Sequence, residues 1–352
     1  MPDLPTIGKI SPEVFSALIY PRLGRERPEV LVGPRSGVDV SIVDLGHGKV
    51  LAATCDPVFV VPQYGFRRAA WFAVHILASD AAMSGLAPAY MAIDLNLPLS
   101  IVEEELTELW DGMHEACDEL GIAVISGHTA RYQGCDYPMV GGATVFAVGD
   151  ADRYVTSGTA RDGDVLICTK GAAIEATAVF AATFPEALRA RIGDEFADRA
   201  AALFYEMSVV KDAMTAVEYG VRDEGVTSLH DATEGGVVGG IFEIAQASGL
   251  GVRLDEAAIP VRPEVAAVCE LVDIDPLTSI SEGTLLATVR PEHADGVLGA
   301  LAGAGIAATA IGEMVPVERG LRRVTAAGER PLEHPQVDPF WAAFGRAMEE
   351  GL

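Results

Sequence analysis

The alternation of apolar and polar positions divides the chain into short strands and amphipathic helices. From Val30 to Val43 a β-rich run is broken by Gly33, Pro34 and Gly37, after which Val38, Val40 and Ile42 alternate with Asp39 and Ser41. A strand over Val50 to Ala53 ends in Thr54-Cys55-Asp56-Pro57. Residues Arg68 to Ser84 carry Ala70, Val74, Leu77 and Ala81 at helical spacing, with Asp80 well inside that apolar run. A strand over Ala89 to Leu97 follows, then a helix to Leu120 with Ser100 as its N-cap and Glu103, Glu104 and Glu105 in its first turn. Gly121 stops it, Ile122 to Ser126 reads as a strand leading into the turn Gly127-His128-Thr129, and Ala143 to Val148 as another strand.

Residues 150 to 164 are polar, with Gly158 and Gly163, and read as a connector. The same grammar then restarts. Strand Val165 to Cys168 meets Lys170-Gly171, a helix begins at Ile174, and an Ala-rich helical stretch runs from Phe184 to Tyr219. The segment His230-Asp231-Ala232-Thr233-Glu234-Gly235-Gly236 leads into a helix from Val237. Strands at Gly251 to Leu254, Thr284 to Val289 and Ala307 to Ile311 alternate with helices at Arg262 to Leu271 and Pro291 to Ala302. After Glu329 a Pro-rich tail closes on a helix from Trp341 to Glu350. The expected class is α/β (α+β), in two domains over residues 1–152 and 153–352.

Composition narrows the function. Half of the 352 residues are hydrophobic, so real cores form. The longest stretch free of charged residues, Gly296 to Gly312, is mostly Gly and Ala, which argues against a membrane span. The N-terminus has no basic and apolar leader pattern, so a cytoplasmic protein is expected. Acidic residues number 51 against 25 basic ones, a net charge of −26 that repels phosphate backbones and disfavours nucleic acid. Only Lys9, Lys49, Lys170 and Lys211 are lysine; a high-salt cytoplasm and an arginine-rich codon bias explain this equally well. Five scattered cysteines include no CxxC pair.

There is no P-loop, dinucleotide-binding glycine motif, HExxH or GxSxG. What remains is a set of acids at strand ends and inside apolar runs: Asp39, Asp56, Asp80 and Asp231. A buried carboxylate needs a hydrogen bond, an ion pair or a cation, and four together suggest a shared counter-charge of the hard, oxygen-seeking kind, Mg2+. Taken singly, each also reads as a cap, a turn former or a satisfied core carboxylate. The glycine-flanked turns at His128, at Lys170-Gly171 and at Thr233 to Gly236 add places where backbone N–H groups could hold a phosphate, although each alone is a common tight turn.

In order along the chain these segments resemble the aminoimidazole ribonucleotide synthetase (PurM-like) superfamily, which includes HypE, thiamine-monophosphate kinase and selenophosphate synthetase. Gly37-Val38-Asp39-Val40-Ser41-Ile42 is similar to its first acidic strand and Thr54-Cys55-Asp56-Pro57 to its Thr-Asp turn. Ser79-Asp80 through Gly85 and Pro88 is similar to its Asn-Asp helix, and Gly127-His128-Thr129 stands in place of its Gly-acid-Thr. His230-Asp231 through Gly235-Gly236 resembles the HypE pattern Arg-Asp-Pro-Thr-Arg-Gly-Gly, and Ser281-Glu282-Gly283 and Ile311-Gly312-Glu313 resemble the late motifs.

The resemblance implies a two-domain PurM-like fold, with an N-terminal antiparallel-sheet domain that forms a homodimer and a C-terminal α/β domain. It implies Mg-ATP-dependent phosphorylation or activation of a small substrate. Asp39, Asp56 and Asp80 would be metal ligands, and Gly37, Thr54, Asp56, His128, Thr129, Lys170, Gly171, Thr233, Gly235 and Gly236 would lie around the nucleotide. His128 and Asp231 are the catalytic candidates. Two alternatives stand beside this: a nucleotide-binding maturation or regulatory protein without turnover, and a purine-pathway cyclo-ligase. There are departures. A histidine, His128, replaces the family acid, and no cysteine follows Cys269, so the HypE chemistry on a C-terminal cysteine is not expected.

Overall fold

Among the described residues thirteen strands fall into two sheets, one in each half of the chain. The computed structural model describes residue 10 and residues 12–352. The N-terminal residues on which the absence of a leader was read lie largely outside the described residues. The first sheet holds β1 (Val30–Val32), β2 (Ser41–Gly46), β3 (Lys49–Phe59), β4 (Pro88–Leu97), β5 (Ala123–Arg131) and β6 (Met139–Asp150) in the order β1-β2-β3-β6-β4-β5. All its pairs are antiparallel except β4 with β5.

The second sheet holds β7 (Val165–Thr169), β8 (Val226–Asp231), β9 (Gly251–Asp255), β10 (Leu285–Val289), β11 (Ala308–Val315), β12 (Leu321–Thr325) and β13 (Gly328–Pro331) in the order β13-β12-β9-β11-β7-β10-β8. β10 lies between β7 and β8 and all five of its residues are buried, as its unbroken apolar run Leu-Leu-Ala-Thr-Val requires. This is the mixed α/β, two-sheet architecture expected from the sequence.

The helix Phe66–Ala82 joins the halves. From Ala69 onward it is buried nearly all round. Leu77, Val74 and Ala81 share one core with Val58 and Val145 of the first sheet and with Ile167, Val226 and Leu285 of the second. Truncating a side chain such as Leu77 there would cost about 2–5 kcal/mol in lost burial and cavity. Helix Glu103–Leu120 packs beside it through Gly112, where an added Cβ would sit 2.9 Å from the Ala70 Cβ and 3.0 Å from the Arg67 carbonyl oxygen. Among the described residues no helix is long and apolar enough to cross a membrane.

Several boundaries differ from the sequence reading. The N-cap of helix Glu103–Leu120 is Val102, not Ser100, and Glu105 Oε2 accepts from the Val102 N–H at 3.1 Å. β3 runs on through Thr54-Cys55-Asp56-Pro57, because β6 continues opposite it as far as Met139. The Ala-rich stretch is three helices, Pro185–Ile192, Asp194–Ala202 and Val210–Tyr219, separated at Gly193 and by a 3-10 turn at Leu203–Glu206. β12 and β13 were not legible because their residues are charged and only part-buried or exposed.

Candidate active site

Strand alternation places Thr54 and Asp56 on the same face of β3. They look into a cleft of about 450 Å3 that also takes Asp39 from the segment before β2, Asp80 from helix Phe66–Ala82, and Gly37, Thr233 and Glu243. Thr54 Oγ1 donates to Asp80 Oδ2 at 3.3 Å, tying strand to helix. Asp231, at the end of β8, is fully buried behind this group. Three of the sequence-expected acids thus share one cleft and the fourth stands against it.

The electrostatics of the group are unfavourable without a cation. Burial holds the Asp80 carboxyl well above the usual carboxylate range, and the charges of Asp231, Asp56 and Asp39 push it further the same way. Carboxylates are hard oxygen donors of the kind that Mg2+ takes, and three of them line this one cleft, so the residues present suit that ion. The ligand atoms of Asp39, His230 and Asp231 lie within 4.8 Å of one another.

His230 is excluded as a ligand by its own bonds. Its Nδ1 lies 2.7 Å from Asp39 Oδ2 and its Nε2 2.8 Å from Glu243 Oε2. Burial disfavours its cation, but Asp39 and then Glu243 outweigh that and hold its pKa well above the ordinary imidazole value. An imidazolium donating from both nitrogens has no lone pair for a metal. It instead fixes Asp39. The sequence reading passed over His230 and Glu243, because the His–Asp pairing joins residues 191 positions apart.

Other expected residues lie elsewhere. Lys170 is not brought to the acidic cleft. Its Nζ donates to Ser208 O at 2.7 Å, to Glu206 O at 3.2 Å and to Asp212 Oδ2 at 3.2 Å, so its three protons are all engaged inside the second half. Gly171, at φ +107°, is packed so that a Cβ would sit 2.5 Å from Pro260 O. That contact accounts for the glycine by packing.

The turn before helix Gly236–Ser248 already holds an anion, but it is the protein's own. The Gly235 N–H donates to Asp338 Oδ2 at 2.8 Å, and the Gly236 N–H to Thr233 O at 3.0 Å. Asp338 Oδ1 also accepts from the Phe340 N–H at 2.9 Å, capping the C-terminal helix Pro339–Glu350. Burial raises the Asp338 carboxyl to about 6 against those hydrogen bonds.

Gly127, His128 and Thr129 are not a turn at a strand end. They lie within β5 at the far edge of the first sheet, where His128 Nε2 sits 2.9 Å from the Tyr132 hydroxyl. The strand continues through Gly127 because β4 approaches so closely that a Cβ there would lie 2.5 Å from Ile93 O.

Residues 37–151 match the family model "AIR synthase related protein, N-terminal domain" and residues 161–324 match "AIR synthase related protein, C-terminal domain". The chain is similar to carbamoyl dehydratase HypE of Rhizobium leguminosarum bv. viciae, at 30% identity over 76% of this chain and 73% of that protein. It is also similar to selenide, water dikinase of Escherichia coli K12, at 28% identity over 89% of this chain and 92% of that protein. The crystal structure of hydrogenase maturation protein HypE in complex with ATP superposes with a TM-score of 0.66 at 25% identity, covering 95% of this chain and 97% of that one. The acidic cleft, the two-sheet fold and these matches lead to one conclusion: the chain belongs to the AIR synthase related protein family.

Proposed function

We propose that this protein is a Mg2+–ATP-dependent enzyme that phosphorylates or activates a small substrate. The observation that carries the reading is the convergence of Asp39, Asp56 and Asp80 on one cleft with Asp231 against it, an arrangement in which Asp80 cannot readily ionise without a cation. Asp39, Asp56 and Asp80 would hold the metal, which when bound neutralises phosphate charge and aligns the transferring group. Thr54 positions Asp80, and His230 positions Asp39. Asp231, a catalytic candidate from the sequence, is fully buried behind these carboxylates and would add to the negative charge that the metal offsets rather than face an attacking group. The relative solved with ATP and the relative named as a dikinase support the nucleotide and the reaction class.

The reading includes a homodimer. β5 is an edge strand exposed along almost its whole length, with Val124 and Ile125 44% and 59% exposed. Because β6 and β4 separate it from β3, it stands about 14 Å from the Asp56 strand. His128 and Thr129 would therefore reach a nucleotide only from the β5 edge of a second copy.

ADP release measured with Mg2+ and ATP across a panel of small metabolites tests the reading. Turnover that needs both Mg2+ and a particular metabolite is expected. ATP binding without ADP release under any condition would favour a nucleotide-binding regulator instead.

A further inference from the structure

The acidic cleft has walls of two kinds. One carries Asp39, Asp56 and Asp80; the other comes from the chain ahead of β1 and is apolar, with Ile10, Phe15 and Ile19. Phe15 and Ile19 begin and end the helical turn Phe15–Ile19, four residues apart, a spacing that puts both side chains on one face. Tyr20 meets the Phe15 ring edge-on at 4.8 Å and restrains it.

These side chains serve no core. Of residues 13–23 only Val14 is buried. Phe15, Leu18, Ile19 and Leu23 join none of the hydrophobic clusters among the described residues. Ile10 and Ile19 stay exposed where they line the cleft, and Phe15 is half-buried there. An apolar face kept in water is unfavourable, and a ligand that covers it with an apolar part of its own relieves it.

The two walls together call for a ligand with two different ends. The carboxylates take a cation and, through it, the phosphates. The Phe15 ring offers a face on which any flat π-system stacks, and Ile19, one turn along, adds a branched aliphatic surface beside it. The cleft, at about 450 Å3, falls within the range of small-molecule sites.

We propose that Phe15 and Ile19 hold the aromatic base of the nucleotide while its phosphates lie against the carboxylate wall, so that the turn Phe15–Ile19 makes the cleft prefer a nucleoside triphosphate over a bare polyphosphate. The inference rests on the nucleotide reading above and adds the wall on which the base lies.

Calorimetric titration of the full chain with Mg2+–ATP and with Mg2+–tripolyphosphate, which has the phosphates without the base, tests it. The wild type should bind Mg2+–ATP at least tenfold more tightly. Phe15→Ala should weaken Mg2+–ATP about tenfold and leave Mg2+–tripolyphosphate unchanged, and Ile19→Ala should do the same to a smaller extent. Asp56→Asn should weaken both. Phe15→Trp keeps an aromatic face, so it should retain ATP affinity, and the fluorescence it adds should be quenched by Mg2+–ATP and not by Mg2+–tripolyphosphate. Should Phe15→Ala not fold, Ile19→Ala and Phe15→Trp decide. Equal affinity of the wild type for the two probes, or an equal loss for both in Phe15→Ala, would overturn the proposal and leave the metal–phosphate reading standing. No binding of either probe would overturn both.

Discussion

The imidazole of His230 lies 2.7 Å from the carboxylate of Asp39, and this contact joins β8 of the second sheet to the segment that leads into β2 of the first. Glu243 holds the other ring nitrogen at 2.8 Å. One buried cation thus serves two carboxylates and keeps one of them aimed at the proposed metal.

Removing that cation should be costly. His230→Gln removes the buried cation that Asp39 and Glu243 share, and unfolding in denaturant should show a loss of about 3 kcal/mol. The double variant His230→Gln/Glu243→Gln should recover part of it, because one of the two carboxylates that this cation served is gone. Additive losses would mean that the three residues do not act as a unit.

Stability should fall as the pH rises from acid toward about 8. Glu175 has its folded pKa raised from 4.5 to about 8, chiefly by burial. The folded chain therefore binds more protons than the unfolded one between those values, and stability declines with rising pH across that window. The decline should amount to a few kcal/mol and level off above about pH 8. Glu175→Gln should flatten the profile between pH 5 and 8, measured by denaturant midpoints. A variant profile parallel to the wild type would assign the dependence to other groups.

Dimer formation should depend on β5. Ile125→Lys places a charge on the exposed edge strand, 59% accessible in the isolated chain, without touching a buried residue. Light scattering should show a dimer for the wild type and at least a tenfold weaker association for the variant. A wild-type monomer, or a variant that remains fully dimeric, would place the contact elsewhere.

The sequence showed the acids and hid their partners. Asp80 stood out because a carboxylate inside an apolar helical run has few explanations, and Asp39, Asp56 and Asp231 gained meaning from their place at strand ends. Long-range pairings were hidden. Lys170 beside a glycine suggests a phosphate contact until Asp212 and the carbonyls of Glu206 and Ser208 are seen to saturate it. Gly235-Gly236 suggests an anion site, and its anion is the side chain of Asp338, over a hundred residues on. Gly127 suggests a turn, whereas it is a strand glycine required by the close approach of Ile93. In each case the local residue type was read correctly as special, and a distant neighbour decided why.

The acidic cleft itself is tested most directly by titrating wild type, Asp56→Asn and Asp80→Asn with ATP, with and without Mg2+, alongside the melting temperature of each. Each substitution keeps side-chain shape and removes a charge from the cluster. The wild type should bind ATP only with Mg2+, and both variants should bind at least tenfold more weakly. Asp80→Asn should melt no lower than the wild type, and up to a few degrees higher, because an acid disfavoured by burial and by the charges of Asp231, Asp56 and Asp39 is replaced by a neutral amide. Unchanged Mg2+–ATP affinity in both variants, with the fold intact, would contradict the assignment of this cleft as the metal–nucleotide site.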